Sequence, residues 1–356
     1  MSAPVRYAPS VETTAPDEQE TIDGISAALR EILETTSKDY GHAVRAVHAK
    51  GHGLVRGTLE VAAGLPPELA QGLFSAPGRY EAVLRISTNP GDILDDSISV
   101  PRGAALKVVG VDAPEGTQDF VLVDGPAFFA PDAKSFLGNL KLLAKTTDKA
   151  EGLKKALSAV LRGAEHVLEA VGLESGALKS LGGAPNSHPL GSTYYSQTPF
   201  RFGDHIAKFS LAPVSENLKS LADATVRTTD RPDALREDVR EVLVEQPSAW
   251  ELRAQLCTDL EAMPIEDASV VWDEKQSPFR TVARLTVEPQ VAWTNGTSEH
   301  EEDRLAFSPW HCLEAHRPLG GVNRARKPTY PVSADFRARF NGCPIHEPVA
   351  QAQVGT

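Results

Sequence analysis

The chain has 356 residues, of which 41% are hydrophobic and 24% are charged, and its formal net charge is -12. This length and composition are typical of a globular protein that builds one large domain or two ordinary ones around a substantial core. The acidic balance argues against a general nucleic-acid binder or a protein of anionic membrane surfaces.

The sequence also carries information on membrane targeting and on the redox compartment. No apolar signal core is found in the first twenty residues, and no apolar run approaches the ~18 residues of a membrane span. Three cysteines provide no disulfide framework and indicate a reducing compartment. We therefore expect a cytoplasmic protein without a membrane span.

The predicted elements begin with an arm and a helix. Residues 1–18 are rich in Pro, Thr and Glu and predict a loose arm, and apolar side chains on one face predict an amphipathic helix over 21–36. Alternation predicts a strand through residues 44–61. Further strands are predicted over 80–88, 102–111, 119–123, 206–211, 249–259 and 279–291, with helices over 132–182 and 232–245. Strands interrupted by helices indicate an α+β fold with a mainly antiparallel sheet or barrel.

A basic stretch near the C-terminus, Gly320 to Phe340, holds four arginines and a lysine around one tyrosine. On a helix Arg326, Tyr330 and Arg337 fall on one face, although two prolines predict that the helix does not continue upstream of the tyrosine. Neighbouring guanidinium groups favour a phenolate, which can bind iron. By itself, the stretch also fits a surface helix with a packed tyrosine.

Six segments, in the same order along about residues 40–340, together resemble the catalase family. They are R-x-V-H-A-K-G at 45–51, the R-F-S-T-like strand at 85–88, R-G-x-A-x-K at 102–107, the D…P-x-F-F-x-x-D run at 119–132, the segment 264–272 and R-x-x-x-Y at 326–330. The resemblance implies an antiparallel β-barrel haem core with surrounding helices. The chain looks most like the compact catalase-related haem proteins, a group that includes small catalases or peroxidases and allene oxide synthases.

The resemblance also implies a domain organisation. Residues 1–40 form an arm and a helix, residues 41–340 form the catalase-like haem-binding domain, and residues 341–356 form a tail. A helical insert over 132–182 covers or shapes the substrate channel. As in the family, a homo-oligomer is expected, either a dimer or a tetramer.

The cofactor implied by the resemblance is haem b, with the Tyr330 phenolate as the axial ligand of the iron. Arg326 would keep that phenolate anionic, and three arginines would bind the haem propionates. The side chains expected to bind or line the cofactor, besides Arg326 and Tyr330, are Arg45, Val47, Arg85, Arg102, Phe128, Phe136 and Arg337.

On the opposite face of the haem, the resemblance places His48 as the acid and base of peroxide cleavage, because a neutral imidazole can accept and return a proton. Ser87 would fix its orientation. The family has an asparagine on this face, and the candidate positions here are Val123 and Asp124, neither of them an amide. A protonated Asp124 would still hydrogen-bond a peroxide. Val47 before the histidine is as in catalases, whereas allene oxide synthases tend to carry threonine.

Three functions are therefore considered. The first is a haem-dependent catalase or peroxidase acting on hydrogen peroxide or small organic hydroperoxides. The second is a haem isomerase or dehydratase acting on a fatty-acid or other bulky hydroperoxide. The third is a haem- or metal-binding module without turnover, supported by zinc-type residues near the C-terminus. They are His311, Cys312, His316, Cys343 and His346.

Overall fold

The computed structural model describes residues 3–144, 186–222 and 224–349. The strands within these ranges are β1 (Gly51–Val61), β2 (Arg79–Thr88), β3 (Arg102–Val109), β4 (Thr117–Val123), β5 (Tyr194–Tyr195), β6 (Phe200–Phe202), β7 (His205–Pro213), β8 (Ser248–Leu256) and β9 (Arg280–Val287). The α-helices are α1 (Glu18–Tyr40), α2 (Ala133–Ala144), α3 (Glu216–Lys219), α4 (Ala234–Glu245), α5 (Thr297–Asp303) and α6 (Gly321–Phe340).

The strands form one antiparallel sheet that closes into a barrel. Their order is β5-β4-β3-β2-β1-β9-β8-β7-β6, and β5 also pairs with β7, so eight strands make the ring and β6 extends it. Closure removes the unpaired edges that an open sheet would present to other chains. The predicted α+β fold with an antiparallel barrel is confirmed.

The barrel interior is packed with apolar side chains. Large residues from most strands are fully buried there, among them Leu59, Leu106, Phe120, Phe209, Trp250 and Leu285. Burying a side chain of this size contributes about 1.5–3 kcal/mol.

A second apolar cluster lies between α1, α2, α6 and the loop that precedes β1. It includes the residues that α1 presents on one face, and Val47 and Phe136 pack against it. Helix α1 extends beyond the predicted 21–36 and ends before Gly41, whose φ of 63° is the left-handed conformation that commonly ends helices. Two predicted site residues, Val47 and Phe136, therefore lie in the layer formed by these helices and the loop before β1.

The strand predicted from residue 44 begins only at Gly51. The preceding residues form a loop whose backbone leaves the sheet, and His48 has a left-handed φ of 55°. The backbone N–H groups of His48 and Ala49 donate to the carbonyl oxygens of Asn89 and Pro90, at 2.7 and 2.9 Å. This bonding keeps His48 out of the ladder.

The prediction that prolines interrupt the helix before Tyr330 is wrong, because α6 runs without a break from Gly321 to Phe340 and contains Pro328 and Pro331. Both prolines lie on the exposed side of the helix. Water can solvate the carbonyl groups that lose an intrahelical donor there, so the cost of each proline is reduced.

The N-terminal arm, expected to be loose, is bound to the rest of the chain. The backbone N–H groups of Val5 and Tyr7 each donate to the main chain of the β7–β8 region at 2.8 Å. The Glu12 carboxylate pairs with Arg317 at 2.9 Å and with Arg324 at 3.0 Å. These contacts connect the arm to the beginning of α6.

Two expectations fall partly beyond the described residues. Of the helical insert predicted over 132–182, α2 accounts for Ala133–Ala144, and residues 145–182 lie outside the described ranges. Residues 350–356 of the predicted tail also lie outside them. Among the helices that are described, none has the length and apolar character needed to cross a membrane.

Candidate functional site

His48 is held by β2 and β3 at the junction of the barrel and the helices. Its Nδ1 lies 3.1 Å from the Ser87 hydroxyl oxygen. The ring also packs on Gly103, where a Cβ atom would come within 2.5 Å of its Cε1. Arg85 donates from Nη2 to the His48 carbonyl oxygen at 2.9 Å. Ser87 and Gly103 therefore fix the orientation of the imidazole, and Arg85 holds the backbone of the same residue.

The charge state of His48 follows from this environment. Burial lowers the pKa of His48 to about 3, and the positive charges of Arg85, Arg326 and Arg45 act in the same direction. A neutral imidazole has one nitrogen that donates and one that accepts. At neutral pH the ring is therefore uncharged, with one nitrogen that can accept a hydrogen bond.

Beside His48 lies a group of three arginines that surrounds one buried carboxylate. Arg85 contacts Glu302 through Nε at 2.5 Å and through Nη2 at 3.2 Å. Arg45 Nη1 lies 3.3 Å from the same carboxylate. We call Arg45, Arg85, Arg337 and Glu302 the arginine cluster.

The C-terminal end of α5 supplies the other acceptors of the arginine cluster. Arg45 Nη2 donates to the carbonyl oxygens of Glu302 and Leu305 at 2.9 and 3.1 Å. Arg337 donates to the same two oxygens at 3.4 and 3.1 Å. Cations at a helix C-terminus interact favourably with its dipole, so both arginines cap α5.

Glu302 is ionised although it is only 6% exposed. Burial opposes its ionisation, but Arg85 and Arg45 outweigh that effect and bring the pKa of Glu302 below its usual value. Burial also lowers the pKa of Arg45 well below its usual value and lowers that of Arg337. Arginine remains protonated in proteins, so the three guanidinium groups carry two more charges than the Glu302 carboxylate, and the nearby Asp303 carboxylate offsets part of this excess at Arg45 and Arg337.

An aromatic wall stands opposite α6. The ring centroids of Phe128, Phe129 and Phe136 lie 4.7 to 5.8 Å apart in tilted and edge-on pairs. Val322 of α6 packs in the same apolar cluster. The Arg326 guanidinium lies 5.7 Å from the centre of the Phe128 ring, close enough for a cation–π contact.

Helix α6 carries the residue predicted as the axial ligand. Tyr330 is half-buried, one helical turn after Arg326. Arg326 Nη1 donates to Asn323 at 3.1 Å and to Thr198 at 3.3 Å, rather than to the phenol. The Ser333 hydroxyl accepts a hydrogen bond from the backbone N–H of Ala46 at 3.2 Å, so α6 contacts the loop that carries His48.

Asp124 and Arg102 bond to neighbouring groups at the ends of β3 and β4. Asp124 Oδ1 accepts from the backbone N–H of Arg102 at 2.9 Å. The Arg102 guanidinium turns to the Ser99 hydroxyl at 3.2 Å and the Val100 carbonyl at 2.9 Å. The structure therefore does not bring the side chain of Arg102 into the arginine cluster.

An amide that the sequence did not single out lies beside the turn after β4. Gln197 adopts a left-handed φ of 61° and donates from Nε2 to the carbonyl oxygens of Gly125 and Ala127, at 3.1 and 2.7 Å. Both of its N–H bonds are thereby used. Gln197 stabilises the turn, and only its carbonyl oxygen remains to accept a bond.

Glu302 was also missed. It occurs in an acidic run, SEHEED, in which no local pattern separates it from Glu299 or Glu301. Its function depends on arginines that are more than thirty residues away in either direction. The predicted arginines were the only available signal.

The zinc-type residues near the C-terminus do not assemble a metal site. His316 Nε2 accepts from the backbone N–H of Leu73 at 2.9 Å inside the barrel core. His311 pairs with Asp119 at 3.2 Å. Among residues 3–144, 186–222 and 224–349, no group of three or more His, Cys, Asp or Glu side chains could hold a metal ion.

The residues present fit haem b. They include a phenol on α6, an imidazole fixed by Ser87, an aromatic wall and an arginine cluster with two excess positive charges. Within the described part of the chain, Arg337 Nε is buried without a hydrogen-bond partner. Such an orphaned donor is costly unless an anion meets it, and haem b carries two propionates.

Comparisons with known proteins identify the family and the fold. A family model described as Catalase matches residues 42–318. A fungal catalase structure has 21% identity and a TM-score of 0.60, and the alignment covers 86% of this chain and 62% of that one. Catalase A from Saccharomyces cerevisiae has 18% identity and a TM-score of 0.59, with coverage of 86% and 64%. A bacterial catalase has 16% identity and a TM-score of 0.61, with coverage of 90% and 63%.

These similarities differ in what they show. At such identities the solved structures establish the fold alone, and the chain spans less than two thirds of their length. No curated protein sequence matches the chain. The match to the family model covers more than half of the chain and includes His48, Ser87 and the aromatic wall.

Proposed function

Because the chain belongs to the catalase family, we propose that it is a haem-dependent catalase or peroxidase that decomposes hydrogen peroxide or small organic hydroperoxides. The observation that carries this proposal is the neutral His48 ring, fixed by Ser87 next to the arginine cluster. A fixed imidazole with a free nitrogen is the group that proton transfer between two peroxide oxygens requires.

The proposed cofactor is haem b, which when bound would supply the iron at which the peroxide O–O bond is cleaved. The Tyr330 phenolate would bind the iron, and Arg326 on the preceding turn would add positive charge near it. Arg45, Arg85 and Arg337 would hold the propionates through charge-assisted hydrogen bonds.

His48 performs the proton transfers in this proposal. The free ring nitrogen accepts the proton of one peroxide oxygen and delivers it to the other, which leaves as water or as an alcohol. Ser87 holds the ring through Nδ1, so the other ring nitrogen points in a fixed direction. Gly103 allows the ring to lie against β3, since any side chain there would displace it.

The other predicted residues shape the site. Val47, Phe128 and Phe136 contribute apolar surface that excludes water and so limits stray proton transfer. Asp124 accepts a hydrogen bond from the backbone N–H of Arg102. We propose that it stabilises the adjoining ends of β3 and β4 and does not transfer protons.

A second candidate function is an isomerase or dehydratase of a fatty-acid or other bulky hydroperoxide. It is favoured by the turn after β4, where neither candidate for the family's asparagine, Val123 or Asp124, is an amide and both N–H bonds of Gln197 are used. A site without an amide donor gives a small peroxide less hydrogen bonding. Val47 favours the first candidate.

The proposal extends to the state of the protein in the cell. We propose a cytoplasmic homo-oligomer, on the support of family membership and of three free cysteines, two of them buried. Light scattering of the purified protein measures the number of subunits. A monomer at micromolar concentration would contradict this part of the proposal.

The function is tested with the purified, haem-loaded protein. Oxygen release from hydrogen peroxide is compared with consumption of cumene hydroperoxide and of a fatty-acid hydroperoxide. The first function predicts oxygen release or fast loss of the small peroxides. Turnover of the fatty-acid hydroperoxide alone would favour the second function, and a protein that takes up no haem would contradict both.

A further inference from the structure

Glu302 is buried where the proposed function places a haem propionate. Its carboxylate faces Arg85 through two nitrogens, Nε at 2.5 Å and Nη2 at 3.2 Å. This two-point contact uses the fork of a guanidinium in the way that any bound carboxylate does. The inference below rests on the proposed function, because it concerns the same arginines.

The surroundings of Glu302 are built for a carboxylate. A Cβ atom on Gly51 would come within 2.3 Å of Oε1, so the carboxylate reaches a place that only glycine leaves open. The neighbouring carboxylate of Asp303 points elsewhere and pairs with His42 at 2.9 Å. Glu302 is therefore the carboxylate that the described residues supply to Arg85 and Arg45.

The arginines differ in how much they depend on Glu302. Arg45 and Arg337 also bond to the carbonyl oxygens of Glu302 and Leu305, which any side chain at position 302 would leave in place. Arg85 bonds to the His48 carbonyl, but its ionic partner is the Glu302 carboxylate. Loss of that carboxylate leaves Arg85 with a buried and uncompensated charge.

We propose that Glu302 is an internal substitute for a haem propionate, which neutralises Arg85 and Arg45 in the haem-free protein and competes with a propionate for them when haem binds. The haem-free chain needs such a group because three buried guanidinium groups without an anion are costly. The same group then weakens haem binding, because it occupies nitrogens that a propionate would use.

The proposal predicts effects of opposite sign for one substitution. Glu302→Gln keeps the shape of the side chain and removes its charge. The haem-free variant should unfold at a lower temperature than the natural protein. The haem-loaded variant should release haem about tenfold more slowly, because no second carboxylate then competes with the propionate for Arg85. If Glu302 only oriented the arginines, Glu302→Gln would lower the unfolding temperature and also make haem release faster.

Glu301→Gln is the matched control, since Glu301 is an exposed carboxylate on the same helix. Thermal unfolding is followed by circular dichroism in the haem-free proteins. Haem release is followed as transfer to excess apomyoglobin. Glu302→Asp provides a second variant if Glu302→Gln does not fold. It keeps the charge but moves it away from Arg85, so it should lower the unfolding temperature and slow haem release to a smaller extent.

Chemical rescue gives an independent readout. Sodium propionate, compared with sodium chloride at equal ionic strength, should raise the unfolding temperature of haem-free Glu302→Ala, in which the space of the side-chain carboxylate is vacated, and leave the Glu301→Gln protein unchanged. Equal effects of the two salts on Glu302→Ala would overturn the claim that the vacated position accepts a carboxylate.

The outcomes separate the inference from the proposed function. If no variant and no natural protein takes up haem, the proposed function fails, and the competition fails with it. If all of them take up haem and Glu302→Gln releases it as fast as, or faster than, the natural protein, only the inference is overturned.

Discussion

Arg85 joins the arginine cluster to the proposed catalytic histidine, since its Nη2 donates to the His48 carbonyl oxygen at 2.9 Å while its Nε contacts Glu302 at 2.5 Å. His48 has a left-handed φ of 55°, which a non-glycine residue adopts at a cost. The bond from Arg85 helps to keep that conformation. In the proposed function, binding of a propionate at Arg85 would therefore be coupled to the position of the imidazole.

Arg85→Lys should weaken both functions of this residue. Lysine keeps the positive charge but lacks the planar fork that reaches Glu302 and the His48 carbonyl together. We expect a loss of stability of about 2–3 kcal/mol and a lower turnover of peroxide. Urea unfolding and oxygen release measure these effects. The exposed Arg56→Lys serves as the control, and equal values for the two variants would contradict the coupling.

Ser87→Ala should leave haem bound and slow the peroxide reaction. The hydroxyl oxygen lies 3.1 Å from Nδ1 of His48, and without it the ring loses its fixed orientation. A misplaced proton-transfer group costs on the order of tenfold to a hundredfold in rate. Steady-state turnover at equal haem content gives the value. The exposed Ser75→Ala should retain the full rate, and a Ser87→Ala protein that does the same would refute the orienting role.

Tyr330→Phe should change the iron site itself. The substitution removes the only oxygen of this side chain and therefore the proposed axial ligand. We expect a shifted Soret band, loss of phenolate-to-iron absorption and weaker retention of haem. Absorption and resonance Raman spectra report each change. Tyr195→Phe, in β5, is the control, and a spectrum of Tyr330→Phe that matches it would exclude Tyr330 as the ligand.

Acid should destabilise the protein through its buried histidines. Burial lowers the pKa of His316 to about 4, from an ordinary value of 6.5. Between those values the unfolded chain binds a proton that the folded chain does not, so stability is complete above pH 6.5 and falls as the pH drops toward 4. At pH 4 and below, this group removes roughly 3 kcal/mol.

The pH effect is measured as the free energy of unfolding in urea between pH 4 and pH 7. His316→Asn keeps an acceptor for the Leu73 N–H, which the histidine Nε2 accepts at present, and removes the titrating group. Its stability should depend less steeply on pH than that of the exposed His300→Asn control. Equal slopes would show that His316 does not carry the effect.

The sequence predicted the features that depend on local interactions and missed those that depend on contacts between residues far apart in the chain. Alternating and amphipathic patterns arise from local burial, and they predicted the barrel strands and α1. The two prolines predicted a break in α6. The break did not occur, because Pro328 and Pro331 lie on the exposed side of the helix. The solvent exposure of one helix face is set by tertiary packing.

The same distinction applies to the site. The motifs brought forward His48, Ser87, Arg45, Arg85 and Arg337, and the structure places these side chains around one region. Glu302 was not predicted because its role depends on arginines that are distant from it in the sequence.

Oxygen release from hydrogen peroxide by haem-loaded natural protein and by His48→Ala tests the central claim most directly. The proposed function predicts the same haem content in both proteins and a rate that is about 10²- to 10⁴-fold lower in the variant. Equal oxygen release by the two proteins at equal haem content would contradict the assignment of proton transfer to His48.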